Sequence, residues 1–279
     1  MPVTYDNWLD QINTPASERT FYKKKDGAFI HIGQVTAKFI GIPYDEDEYY
    51  NHLYDHVHSD GLILLSDSTL NHSLDHFRLE SIDKISKFSD EQNLSINRFV
   101  ALMDQENLLP ALDHSLVNRQ IRDAAVKMTE LYIRTEKGGL KSQEFISVIN
   151  DVIGWLFYNL NRHLDKANPE SAMPAFLWYG NYRKSHQYLL YFLIQLGCDL
   201  VTFTPDGNDV LATTGPDRLK TFVHIFPETG NPKPFPMEKS KQTSTVAYRA
   251  SKDIENHLFH IEQSVIVQGF MIMESEIIV

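Results

Sequence analysis

A single cysteine stands among 279 residues, so no intrachain disulfide can form, and the composition suits a reducing compartment. Basic residues are also short: 26 Lys and Arg face 37 Asp and Glu, for a formal net charge of −11. That balance argues against a general affinity for nucleic acid, which needs a positive footprint. It favours a small-molecule or protein partner. No apolar run approaches the length of a membrane span. Met1 to Asp10 has neither a basic n-region nor an apolar h-region, so no secretory signal is read there and a cytoplasmic protein is expected. The chain has no G-x-G-x-x-G and no P-loop, the strings that would mark a phosphate site outright. It has no internal repeat and no low-complexity segment.

The most informative stretch that is present runs from Pro174 to Asp209. Phe176 to Tyr179 is a short apolar run that stops at Gly180. Leu189, Phe192, Leu193 and Leu196 then recur at helical spacing. Gly197 ends that helix, and Leu200, Val201 and Phe203 resume as a strand before Pro205-Asp206-Gly207. Strand, helix, strand makes a βαβ unit, whose crossover helix lets the two strands run parallel. The strands are expected to be neighbours with a right-handed connection. Parallel sheets bury both faces, so the unit must belong to a larger α/β layer.

Upstream the pattern is mostly helical. Helices are expected over Tyr5–Ile12, Asp45–Ser59, Ser73–Phe88, and around Ile96 to Met103. Two longer ones follow, from about Asp113 to Thr135 and from Ser142 to Leu160. Phe29, Ile30 and Ile32 read as an extended piece, and Leu62 to Leu65 is an apolar run of either type. Asn168 to Pro174 holds two prolines and turn formers, and is the best domain boundary. The fold class is therefore α/β: a mostly helical domain over residues 1–168, then a Rossmann-like parallel α/β domain over residues 169–279. Pro227 to Pro236 is read as a proline-rich linker inside the second domain.

The candidate site lies on the carboxyl edge of the βαβ unit, where open α/β sheets bind ligands. Arg183, Lys184 and His186 fall in the first turn of the crossover helix, after Gly180, with Asn181 placed as an N-cap. Basic residues at a helix N-terminus oppose its dipole, unless an anion binds there and draws on both. The functional reading is a phosphate or nucleotide site; the plainer one is solvated surface cations. Asp206 and Asp209 follow the second strand, and either bind ribose hydroxyls or a metal-nucleotide, or simply form a turn. His52 and His56 are four apart, as are His72 and His76, so each pair shares a helix face. Metal binding is a weak alternative to a solvated face, because neither pair has an H-E-x-x-H context. Asp45-Glu46-Asp47-Glu48 suits a helix start, where negative charge is stabilising. Cys198 is read as a small buried residue rather than a reactive thiol.

Three strings carry a family resemblance: F-L-W-Y-G-N-Y-R-K-S-H-Q-Y-L-L-Y-F-L-I-Q-L-G-C-D-L-V-T-F-T-P-D-G-N-D, F-I-G-I-P-Y-D-E-D-E-Y-Y-N-H-L-Y-D at residues 39–55, and S-T-V-A-Y-R-A-S-K-D-I-E at residues 244–255. The chain resembles the YceG-like proteins of tellurite-resistance (Ter) stress operons, described as a component of a "biosynthetic module". The resemblance implies a cytoplasmic stress-response role beside enzymes that make a nucleoside-like metabolite, with other Ter-operon proteins as partners. It carries over no catalytic residue and no cofactor. Members of that family are longer, and Ile261 to Val279 departs from their usual continuation. If the chain is cut short there, the α/β domain is incomplete. Val265 to Val267 and Phe270 to Met273 would then be exposed, β-prone edge material, and Gln263 to Val279 could be deleted with the melting temperature nearly unchanged. Two functions compete: handling of a nucleotide or sugar-nucleotide-like metabolite, or a non-catalytic interaction subunit of the same system.

Overall fold

Every second residue of two neighbouring strands points to the same side, and in this protein both sides are dry. A computed structural model describes residues 3–19, 23–25, 29–31, 33–70, 74–164, 167, 173–214, 221–240, 251 and 254. The elements in chain order are α1 (Trp8–Asn13), β1 (Lys23–Lys25), β2 (Phe29–His31), β3 (Thr36–Ile40), α2 (Glu46–His58), β4 (Ile63–Leu65) and α3 (Asp67–Leu70). Then come α4 (His76–Glu91), α5 (Ile96–Gln105), α6 (Ser115–Thr135), α7 (Gln143–Trp155), a π-helical turn (Leu156–Leu160) and α8 (Asn161–Leu164). The chain continues through β5 (Ala175–Tyr179), α9 (Lys184–Leu196), β6 (Asp199–Thr204) and β7 (Thr221–Ile225).

The helices start where short polar side chains can satisfy their first N–H groups. Asp45, Asp75, Ser95 and Ser142 each accept the N–H three residues on, at α2, α4, α5 and α7. Each such cap contributes about 1 kcal/mol. Gly197 closes α9 with φ of 100°, a left-handed conformation that a side chain would strain.

The main sheet has five strands in the order β4-β5-β6-β3-β7, all parallel. The βαβ unit is present as read: β5 and β6 are neighbours, with Phe176 opposite Leu200 and Tyr179 opposite Phe203. Their side chains divide between two cores. Phe176, Trp178 and Leu200 pack with α4 to α9 on one face. Leu177, Tyr179, Val201 and Phe203 pack with Trp8, Ile12, Tyr49 and Leu53 on the other. The result is a three-layer α/β sandwich, which is why both strands are buried on both faces.

The sheet draws strands from both sides of residues 168–169, where the sequence places a domain boundary. β3 lies between β6 and β7, and β4 lies beside β5. β3 carries Lys38 in its middle and so lacks a plain apolar run, and three-residue β4 is too short to declare its type. Residues 1–239 form one compact unit, and residues 240–279 a second. Residues 168–172, His72, most of 244–255 and all of 263–279 lie outside the described residues.

The topology fixes where a crevice opens. After β3 the chain turns to α2, whose Tyr49 and Leu53 lie on one face. After β6 it turns to Val210 and Leu211, which lie on the other. β6 and β3 are neighbours, so their outgoing connections part between them, a topological switch point.

Candidate functional site

The first turn of α9 stands at the carboxyl end of β5. The helix begins at Lys184, so Arg183 is its N-cap residue, and its side chain makes no capping bond. Asn181, read as the cap, instead lies two residues before the N-cap Arg183 and is exposed. Arg183, Ser185 and His186 line a concavity of about 80 Å³ together with Asp151 of α7. Leu70 at the end of α3, Val152 and Leu189 make its apolar surfaces. His186 is 5% exposed, with its ring centroid 6.1 Å from that of Trp178 on β5. Of the residues expected from sequence, Arg183 and His186 are thus brought together. Asp151 and Ser185 were not singled out. Asp151 comes from a helix some thirty positions upstream, which no local pattern links to α9.

Lys184 does not join them. Its Nζ lies 2.5 Å from Glu144 Oε1 and 2.9 Å from Glu136 Oε2. The Glu144 and Glu136 carboxylates hold its ammonium above the ordinary lysine range. Its charge therefore ties the start of α9 to the end of α6 and the start of α7, which is a sufficient reason for a cation at a helix N-terminus. Asp206 is folded onto its own turn, accepting the Asn208 backbone N–H at 3.1 Å and side-chain amide at 2.8 Å. Asp209 faces inward to Lys38, with Nζ to Oδ2 at 2.7 Å. Neither aspartate lines the concavity. Gly180 is buried between β5 and this turn.

Two buried ion pairs escaped the sequence reading. Lys38 projects from the middle of β3 with 4% of its side chain exposed, so Asp209 is its needed counter-charge. A lysine inside an otherwise apolar five-residue strand was the signal available. Arg19 grips Asp199 with both guanidinium nitrogens, at 2.6 and 2.8 Å, and also donates to the carbonyls of Ile12 and Thr14. Burial pushes the Asp199 carboxyl up, against the pull of Arg19 and of the Val35 N–H. This cluster pins the segment after α1 to the start of β6.

The histidines are spread over separate partners. His52 and His56 have ring centroids 6.3 Å apart on one face of α2. His52 lies 3.4 Å from Glu48, and His56 Nδ1 lies 2.8 Å from Asp60. His76 is largely exposed beside Glu80. Among the described residues no group of three or more His, Cys, Asp or Glu side chains is placed to share a metal ion. Cys198 is wholly buried, and burial pushes its thiol well up, so it packs as a small apolar residue. Among the described residues no helix is long and apolar enough to cross a membrane.

Fold and site together define a parallel α/β protein, with helices on both faces of its sheet and a small polar concavity at the sheet's carboxyl edge. The chain belongs to the YceG family: the sequence model of the YceG domain matches residues 3–259. A relative from Bacillus subtilis (strain 168), "Uncharacterized protein YceG", is 34% identical over 257 residues. The match covers 92% of this chain and 47% of the relative, so the chain spans about half the relative's length. No solved structure matches the chain.

Proposed function

We propose that the protein binds an anionic metabolite, nucleotide- or sugar-nucleotide-like, as a cytoplasmic component of a Ter-linked stress-response biosynthetic module. The observation that supports this is the shared concavity of Arg183, Ser185 and His186 at the start of α9. A helix N-terminus and an arginine bordering one concavity are the groups that would suit an anion there. Asp151, which also lines it, is an acceptor suited to ribose or sugar hydroxyls. Size limits the reading. About 80 Å³ is well below the roughly 300–1,000 Å³ of a pocket that encloses a whole ligand. The concavity admits a phosphate-sized head group, and the rest of the ligand lies along the surface. These residues support binding and orientation rather than a chemical step.

Titration calorimetry with inorganic phosphate, nucleoside diphosphates and a sugar nucleotide tests the reading. Arg183→Ala should weaken binding about tenfold or more, the loss expected for one charge-assisted hydrogen bond. Asp151→Asn should weaken the nucleotides but leave inorganic phosphate unchanged. Lys184→Ala should leave both unchanged. Unaltered affinity in the Arg183 variant overturns the assignment. One observation favours the alternative of a non-catalytic interaction subunit: Lys184, Asp206 and Asp209 are all turned to partners within the chain. A folded protein that is silent to every ligand of the panel supports that alternative.

A further inference from the structure

The crevice at the switch point between β6 and β3 is filled by the chain itself. Beyond β7, residues 226–236 cross the carboxyl ends of β3, β6 and β5 in turn. The Phe226 N–H donates to Ile40 at 2.7 Å. Ile42 and Glu228 exchange both hydrogen bonds, at 2.7 and 3.2 Å, and the Gly230 N–H donates to Pro205 at 2.9 Å. The Tyr179 hydroxyl then donates to the Lys233 carbonyl at 2.6 Å. Gly41 has φ of 89°, and a Cβ built there would stand 2.5 Å from the Glu228 carbonyl oxygen. Only glycine lets this segment come so close.

The two halves of the segment are held differently. Phe226 to Gly230 extends the sheet through backbone hydrogen bonds. In Asn231 to Pro236 three of six residues are proline, and those have no N–H to give. That half lies in a slot between α2 and β5. The Phe235 ring meets Tyr179 edge-on at 5.8 Å. Lys233 Nζ stands 5.5 Å over the Tyr50 ring and pairs with Glu46. That pair is more than half exposed on the lysine side, so water weakens it. The Tyr49 hydroxyl nearby is buried with no hydrogen-bond partner among the described residues.

We infer that the slot formed by Glu46, Tyr50 and Tyr179 is a recognition site for a basic, proline-rich peptide, occupied here in cis by Asn231–Pro236. Its chemistry matches that class. The Tyr179 ring receives a phenyl ring, a carboxylate and a ring face receive a lysine, and a tyrosine hydroxyl reads a backbone carbonyl, while the three prolines between them favour the extended conformation that presents these groups. The partner is a protein segment with alternating proline, a lysine and an aromatic residue. Tethering holds the internal copy at millimolar effective concentration, so a partner enters only when that copy lets go or when it binds more tightly. The slot is independent of the anion concavity beside α9.

A fluorescent peptide with the sequence of Gly230–Met237 tests this by anisotropy. A chain in which residues 231–236 are replaced by Gly and Ser should bind it with micromolar affinity. The unmodified protein should bind it at least about tenfold more weakly, because its own segment competes. Tyr50→Ala or Glu46→Gln in the replaced chain should weaken binding, and a peptide with each proline changed to alanine should not bind. If the replaced chain does not fold, the double variant Lys233→Ala, Phe235→Ala carries the same comparison. No binding to a variant with native circular dichroism and a cooperative melt overturns the inference. Equal binding of the proline-free peptide does so too, as does loss of folding in both variants, which would make the segment part of the core.

Discussion

At the scale of the residue, the buried ion pairs set the sharpest expectations. Asp199 is 1% exposed and receives Arg19 and the Val35 N–H. Arg19→Ala leaves that carboxylate buried without its counter-charge, and should cost about 3–5 kcal/mol in urea unfolding. A change below about 1 kcal/mol would mean that Asp199 is not ionised in the native state. His56 makes a second case. Burial lowers its pKa from 6.5, an effect larger than the opposing Asp60 hydrogen bond. The unfolded chain therefore binds the proton more readily. The resulting stability is complete above pH 6.5 and is lost as the pH falls below 6.5 toward the lowered folded value. The melting temperature should drop between pH 7.5 and 5.5, and His56→Gln should flatten part of that drop.

At the scale of the element, what holds α9 and the segment after β7 can be separated. Lys184 is one-third exposed, so its two carboxylates stabilise less than buried partners would. Lys184→Met should change stability by no more than about 1 kcal/mol. Gly41→Ala meets the Glu228 carbonyl and a left-handed φ at once. It should cost about 1–3 kcal/mol by thermal unfolding. The helices were legible because their signals are local: an apolar stripe, a polar cap, a glycine stop. Ser142 caps α7 as its position implied, and α2 begins at Asp45 with acidic residues in its first turn. The proline-rich stretch was legible as composition, but its contacts were not. Nothing in P-E-T-G-N-P-K-P-F-P says that Ile42, Pro205 and Tyr179 await it.

At the scale of the whole molecule, the compact unit of residues 1–239 holds all five strands of the parallel sheet. Expressed alone, residues 1–239 should melt cooperatively, within a few degrees of the full chain, by circular dichroism. A molten or insoluble product would show that the remaining forty residues complete its core.

The sequence by itself determined the α/β class, the βαβ unit from Ala175 to Thr204 and the basic start of α9. Each rests on periodicity and turn chemistry among residues close in the chain. Only the tertiary structure decided that β3 enters the sheet between β6 and β7, and so where the switch point lies. It also decided that Asp209 serves Lys38, that Asp199 serves Arg19, and that Asp151 and Arg183 line one concavity. Asp199 and Val35 are 164 positions apart. Pairing over such distances is chosen by which apolar faces can be buried together, and a burial of that kind leaves no periodic mark on either segment alone.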